Sequence, residues 1–298
     1  MNAAIFLALT AGLLYGGLSL AYKLADVKKC RFSQFTFVMT LVGAFAALAK
    51  SFTEVTVWNS PLLWLHGGVM GVVIVVGIYV IMAANVRGPV YANWTVVNVS
   101  FLFAVFLSAV FLKEELLCAD AANLLLFGVM LFLFVRGMRA GHADKPARES
   151  LTHILLLSAV FITNGLATFG SKLKYTFYGE ANSSALPTVF YLTGALISAL
   201  MIVRAHGRLH LTRDEWKIGA LAGVLISSAT ILFLSAMSLP AAAVFTITQG
   251  TSLTAGVALT TLVGKERLNG RMALGLITGL LLLFAVIFRE QTAAWLCR

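Results

Sequence analysis

Apolar residues run along the chain in ten long blocks, with charges and helix breakers gathered in the gaps between them. The blocks are Ala3–Tyr22, Phe32–Ala49, Leu62–Ala84, Pro89–Leu112, Ala119–Val135, Leu151–Gly170, Ala185–Val203, Trp216–Ser238, Pro240–Val263 and Met272–Phe288. Each approaches or exceeds the ~20 apolar residues a helix needs to cross the hydrocarbon of a bilayer. The gaps hold Lys28-Lys29-Cys30-Arg31, Asn59-Ser60-Pro61, Arg87-Gly88-Pro89 and Lys113-Glu114-Glu115, and the most polar gap, 139–150, falls at the midpoint. Pro89 and Pro240 fit the first turn of a helix, where a missing N–H costs nothing. The first block lacks the basic start and cleavage site of a signal peptide, so it is counted as a permanent span. The pattern predicts an all-α integral membrane protein with ten transmembrane helices.

The two halves repeat one another. A displacement of 152 residues carries Trp64 onto Trp216, Gly67 and Gly71 onto Gly219 and Gly223, Ser100 onto Ser252, and Lys113-Glu114 onto Lys265-Glu266. Near the start the displacement is 149, pairing Gly16 with Gly165 and Lys23 with Lys172. Repetition of Trp, Gly-xxx-Gly and Lys-Glu in order is far less common by chance than repetition of apolar residues. Each half carries an odd number of spans, so the second copy must cross the bilayer in the opposite sense. The expected organisation is two inverted five-helix repeats, 1–138 and 151–290, with a polar linker 139–150 and a short tail 291–298. Inverted repeats are a transporter signature, with the site near the midplane between the copies.

Composition narrows the function classes. The chain is 60% hydrophobic and 11% charged, with a mean hydropathy of +0.92. That excludes a disordered chain and a soluble catalytic domain. Three scattered cysteines, Cys30, Cys118 and Cys297, suggest neither a metal site nor a disulfide framework. No GxxxxGK[ST] occurs, so no ATP drive is expected within the chain, and no cofactor or metal is called for. No arginine cluster is interleaved with aromatics, so the net charge of +10 does not imply nucleic acid. Sidedness matters more than the sum: in the ten-span topology sixteen of the 22 Lys and Arg fall on one face. The positive-inside rule makes that face cytoplasmic and puts both termini outside.

Ionisable groups inside a bilayer are functional candidates by default, and this chain has few. Only His66 and Asp120 fall within the blocks, both near an end. His66 is the candidate proton-sensitive group, or an interfacial residue hydrogen-bonded near Trp64. Asp120 fits a cap on the fifth helix. Lys23 and Lys172 form a repeat pair that could contact an anion or snorkel to head groups. Glu114 and Glu266 are expected to pair with Lys or cap a following helix. Neutral polar and aromatic groups are denser. Asn98, Gln249, Trp94, Tyr79, Asn85, Tyr15, Asn164, Phe245 and Ser252 are the candidate substrate-binding residues, because amides and hydroxyls in hydrocarbon need partners. Asn98 aligns with Gly250, beside Gln249, so the two amides could face each other. The competing reading is interhelical packing.

With Leu112-Lys113-Glu114-Glu115-Leu116 and Val263-Gly264-Lys265-Glu266-Arg267-Leu268 closing the fourth helix of each half, the chain resembles a ten-helix, EamA-type member of the drug/metabolite transporter superfamily. Glu114 and Glu266 match the Glu of the family's Leu-Gly-Glu-Arg-Leu-like turn, Lys113 and Lys265 replace its Gly, and Phe101 and Leu253 replace the usual mid-helix Pro. The resemblance implies that the fifth helix of each half lies away from the cavity, and that both termini are inside, against the charge count. It implies a multi-pass protein of the bacterial inner membrane, a monomer or homodimer surrounded by lipid. The expected function is secondary transport, by alternating access, of a small polar, zwitterionic or neutral metabolite resembling an amino acid, in the export direction. A flippase-like carrier of a lipid-linked, amphiphilic or cationic substrate is the alternative within transport. An integral membrane enzyme is the alternative outside it, but no HExxH, GxSxG or multi-Asp motif is present.

Overall fold

The computed structural model describes residues 3–53, 58–87, 96–140, 151–206, 209–264 and 270–288. The apolar blocks fold into helices, because in lipid each backbone N–H and C=O must be satisfied within its own segment. In order they are α1 (Ala3–Val27), α2 (Phe32–Ser51), α3 (Pro61–Arg87), α4 (Phe101–Phe111), α5 (Cys118–Ala140), α6 (Leu151–Tyr178), α7 (Ala185–His206), α8 (Arg213–Ser235), α9 (Ala241–Gly264) and α10 (Gly270–Ile287). Among the described residues nine are long and apolar enough to cross a membrane, and Val96–Phe111 forms a shorter apolar helix that includes α4. Apolar side chains such as Leu125, Leu196, Leu200, Phe132 and Phe284 point outward, more than half exposed. Water would not tolerate that surface, whereas lipid does.

Local chemistry fixes the helix ends. Lys29 adopts a left-handed φ of 51°, and the Cys30 N–H reaches back to Ala25 O at 2.9 Å, which closes α1 in a Schellman turn. Thr212 and Glu215 form a reciprocal capping box at the start of α8. Asp120 Oδ2 accepts the Leu117 N–H at 2.9 Å and caps α5 as expected. Cys118, at the same helix start, is disulfide-bonded, although three scattered cysteines suggested no disulfide framework.

Helices from the two halves interleave. α1 packs on α8 and α9, α2 on α7 and α8, α3 on α6 and α7, and α4 on α6, while α5 and α10 pair with each other and reach α9. Glycines set the closest seams. A Cβ on Gly67 or Gly71 of α3 would lie 2.6 Å from Val189 or Thr193 of α7. A Cβ on Gly219 or Gly223 of α8 would lie 2.8 or 2.9 Å from Val38 or Val42 of α2. Likewise Gly16 of α1 abuts Ser252 and Ala255 of α9, and Gly165 of α6 abuts Ser100 and Phe103.

Packing is uneven along the bundle. At the end where α6 turns into α7 and α8 into α9, every residue of 182–191 and of 241–248 is buried. Toward the opposite end α9 loosens, and 252–255 are only half-buried.

Candidate functional site

The middle of the bundle joins hydroxyls from three helices. The Tyr15 hydroxyl of α1 lies 2.9 Å from Thr230 Oγ1 of α8, which lies 2.7 Å from the Tyr191 hydroxyl of α7. Tyr191 in turn donates to Ile226 O at 3.2 Å. One proton per hydroxyl then fixes the direction: Tyr15 donates to Thr230, Thr230 to Tyr191, and Tyr191 to the backbone. Tyr15, a half-buried residue at the head of this chain, keeps acceptor capacity on its oxygen, which suits a ligand that brings an N–H or O–H. Phe233 meets Tyr15 edge-on at 6.2 Å and Phe245 at 5.9 Å, so an aromatic row borders the hydroxyls. Among the described residues no group of three or more metal-ligating side chains occurs.

The expected binding residues distribute unevenly around this centre. Tyr15 and the fully buried Phe245 belong to it, linked through Phe233. Gln249 and Ser252 are half-buried further along α9, and Asn98 is half-buried in the turn before α4. Asn164 ties α6 to that turn, its Nδ2 donating to Val97 O at 3.1 Å and to Ser100 Oγ. Tyr79 stands apart, in a cleft formed with α6 and α7, and among the described residues its buried hydroxyl has no hydrogen-bond partner. Trp94, the Asn85 side chain and Glu266 lie outside the described residues.

His66 is hydrogen-bonded as expected, but to α6, while the Trp64 indole donates to Trp58 O. Its Nε2 lies 3.0 Å from Gly170 O of α6, and its ring stacks on Tyr178. Lys23 is half-buried near the end of α1. Lys172 does not snorkel. Its ammonium, on a side chain 5% exposed, meets Glu114 Oε1 at 2.8 Å, Met237 O at 3.0 Å and Leu239 O at 2.6 Å. Glu114 Oε2 accepts the first N–H of α9, from Ala241, at 2.7 Å. This knot ties the end of α6 to the α4–α5 loop, the α8–α9 turn and the start of α9.

Three positions with notable contacts went unread in the sequence. Tyr191 has no repeat counterpart of its kind: the seams that match Val189 with Val38 and Thr193 with Val42 put Thr40 at its place. Lys174, fully buried with its ammonium on Gly179 O and Ser183 Oγ, carries no sequence signal. Glu215 did carry one: Thr212-x-x-Glu215 is a capping-box pattern, and its carboxylate also binds the Arg31 backbone N–H and guanidinium at 2.9–3.0 Å.

No family model matches the chain, and no curated protein does either. Among solved structures it is similar to a crystal structure of a protein whose function is not stated, with a TM-score of 0.79 over 97% of both chains at 18% identity. At that identity the likeness concerns the fold.

Proposed function

We propose that this chain is a secondary transporter of the drug/metabolite transporter type, in which two inverted five-helix repeats carry a small polar, zwitterionic or neutral metabolite by alternating access. The observation that carries the reading is that the same contact occurs twice between halves. Gly67 and Gly71 receive Val189 and Thr193 as Gly219 and Gly223 receive Val38 and Val42, and Gly16 receives Ser252 and Ala255 as Gly165 receives Ser100 and Phe103. Such paired seams are what a two-fold axis in the membrane plane produces, and they let two bundles rock about the centre. Lys113 adds support to the resemblance, because it holds a left-handed φ of 55°, the backbone that a glycine at that place serves. The buried runs 182–191 and 241–248 then make this a state closed at the Lys172 end.

Orientation follows from two independent features. The face rich in Lys and Arg carries Cys30 as a free thiol, and the opposite face carries Cys118 in a disulfide. Disulfides persist in oxidising compartments, so the Cys118 face is outward, as the charge count has it.

The test is a thermal-shift screen of the purified protein against metabolites, since a ligand stabilises the state it binds, followed by flux in proteoliposomes. With the ligand so found, Tyr15→Phe is expected to weaken binding up to about tenfold, the worth of one neutral hydrogen bond. Unchanged flux and affinity in both Tyr15→Phe and Thr230→Val would remove the central site from the proposal. The cleft at Tyr79 favours a second reading, an amphiphilic substrate entering from the lipid, which substrate screening in detergent micelles of that amphiphile would reveal.

A further inference from the structure

We infer that the cleft between α3, α6 and α7 is a binding site for one anionic phospholipid, whose acyl chain lies in the cleft and whose phosphate sits between Arg87 and Arg204. The cleft has a volume of about 300 Å³ and walls that are nearly all apolar: Val72, Val76 and Ala83 from α3, Leu156 from α6, Ile197 and Met201 from α7. It opens sideways, with Val76 and Met201 more than 40% exposed on the outer surface of the bundle. From Val72 to Ala83 it runs eleven residues, about 16 Å along the helix. That is about half the ~30 Å hydrocarbon thickness, so it matches the acyl region of a single leaflet.

The mouth supplies the charge. Arg87 is four, seven and eleven residues from Ala83, Val80 and Val76, which puts it on the same face of α3 as the cleft wall. Its guanidinium folds back to within 3.2 Å of Ala83 O, itself a lining residue. Arg204 follows Ile197 by seven residues and Met201 by three, which brings it over the same cleft from α7. Both arginines are exposed, and among the described residues neither is ion-paired. Two guanidiniums above an apolar slot one leaflet deep complement a lipid phosphate with its chain below; basic pockets between membrane helices bind anionic head groups in this way. The site is separate from the central hydroxyls and does not depend on transport.

Native mass spectrometry of the protein in uncharged detergent tests it, with titration of phosphatidylglycerol against phosphatidylcholine of the same chains. The wild type is expected to retain one phosphatidylglycerol in preference. Arg87→Gln with Arg204→Gln should weaken that binding about thirtyfold, from ~1 kcal/mol per basic residue, and weaken phosphatidylcholine, whose phosphate is offset by its choline, distinctly less, so that the preference is lost. Arg87→Lys with Arg204→Lys should keep the preference, and Val76→Trp, which fills an exposed part of the cleft, should lose lipids of both kinds. Equal retention of the two lipids by the wild type, an undiminished preference in the double Gln variant, or unaltered lipid binding by Val76→Trp would each overturn the assignment. Melting in lipid-free detergent checks that every variant is folded.

Discussion

Among the described residues each end of the bundle is fastened by one ion pair, but the two pairs bury opposite signs. At one end Lys172 is the hidden partner, 5% exposed, and Glu114 is 22% exposed. At the other, Glu215 is hidden, 2% exposed, and Arg31 is 42% exposed. The buried ammonium spends its three N–H groups on one carboxylate and two carbonyls near the end of α8, where a cation also answers the helix dipole. The buried carboxylate instead sits at a helix start and collects two backbone N–H groups as well as the guanidinium. Glu215 therefore keeps partners when its ion-pair partner is removed. Lys172 would keep only neutral oxygens around a full charge. The Lys172 end is the brittle one, and the continuously buried runs 182–191 and 241–248 lie at that end.

Glu114→Ala should accordingly be the most damaging change, since stranding a buried charge costs about 3–5 kcal/mol. Denaturation in detergent measures it. The companion variant Lys172→Met, which removes the charge and keeps much of the volume, should recover most of that loss when combined with Glu114→Ala. A double variant as unstable as the single would show that the carboxylate acts through Ala241 alone.

The seams between halves should behave alike where the ends do not. At Gly71 a Cβ would stand 2.7 Å from Phe190 O, and at Gly223 2.6 Å from Met39 O. Backbone cannot swing aside as a side chain can, so Gly71→Ala and Gly223→Ala should each cost about 1–3 kcal/mol. Closely similar melting shifts are expected. A several-fold difference between them would argue against two-fold related seams.

Arg31→Gln should be milder, about 1 kcal/mol, because an exposed ion pair is worth little and the Arg31 and Thr212 backbone N–H groups still hold Glu215. Thermal unfolding with added salt sharpens the point: the wild type should lose part of this increment as screening rises, and the variant should not.

Much of this contrast could be read from residue types, and the rest depends on contacts across the chain. Among the described residues each of the ten apolar blocks carries helix, nine of them long enough to cross a membrane, because length and apolarity decide what crosses lipid. The block read as Leu151–Gly170 stopped early, at the approach of Lys172 and Lys174, since cations ordinarily mark the interface. The helix runs on to Tyr178, because both ammoniums find oxygens inside. Those oxygens come from Glu114, Met237 and Leu239 for Lys172, residues far away in sequence, so no local pattern announces them. The first residues of the fourth block, 89–95, lie outside the described residues; within the rest of it Ser100 turns its hydroxyl to Val97 O at 2.6 Å, and Asn164 from α6 binds the same carbonyl. Tyr15 was a candidate by position and aromatic character, whereas its partners Thr230 and Tyr191 emerge only when α1, α7 and α8 are packed together.

The smallest expected effect tells which end faces the cell interior. Cys30 lies one residue from Arg31, at the end with the exposed ion pair, and its thiol is free. Its pKa is raised above the ordinary thiol range, first by burial and then by the carboxylates of Glu215 and Asp214. The thiolate is the reactive form, so alkylation should be slow at neutral pH and accelerate as the medium is made mildly alkaline. Asp214→Asn, which removes the weaker of the two carboxylate contributions, should raise the neutral-pH rate modestly without moving the helices. If the Lys- and Arg-rich face is cytoplasmic, a membrane-impermeant maleimide should reach Cys30 in inverted vesicles and leave it unlabelled in right-side-out ones. The opposite pattern would reverse the two ends and place the brittle Lys172 end toward the cytoplasm.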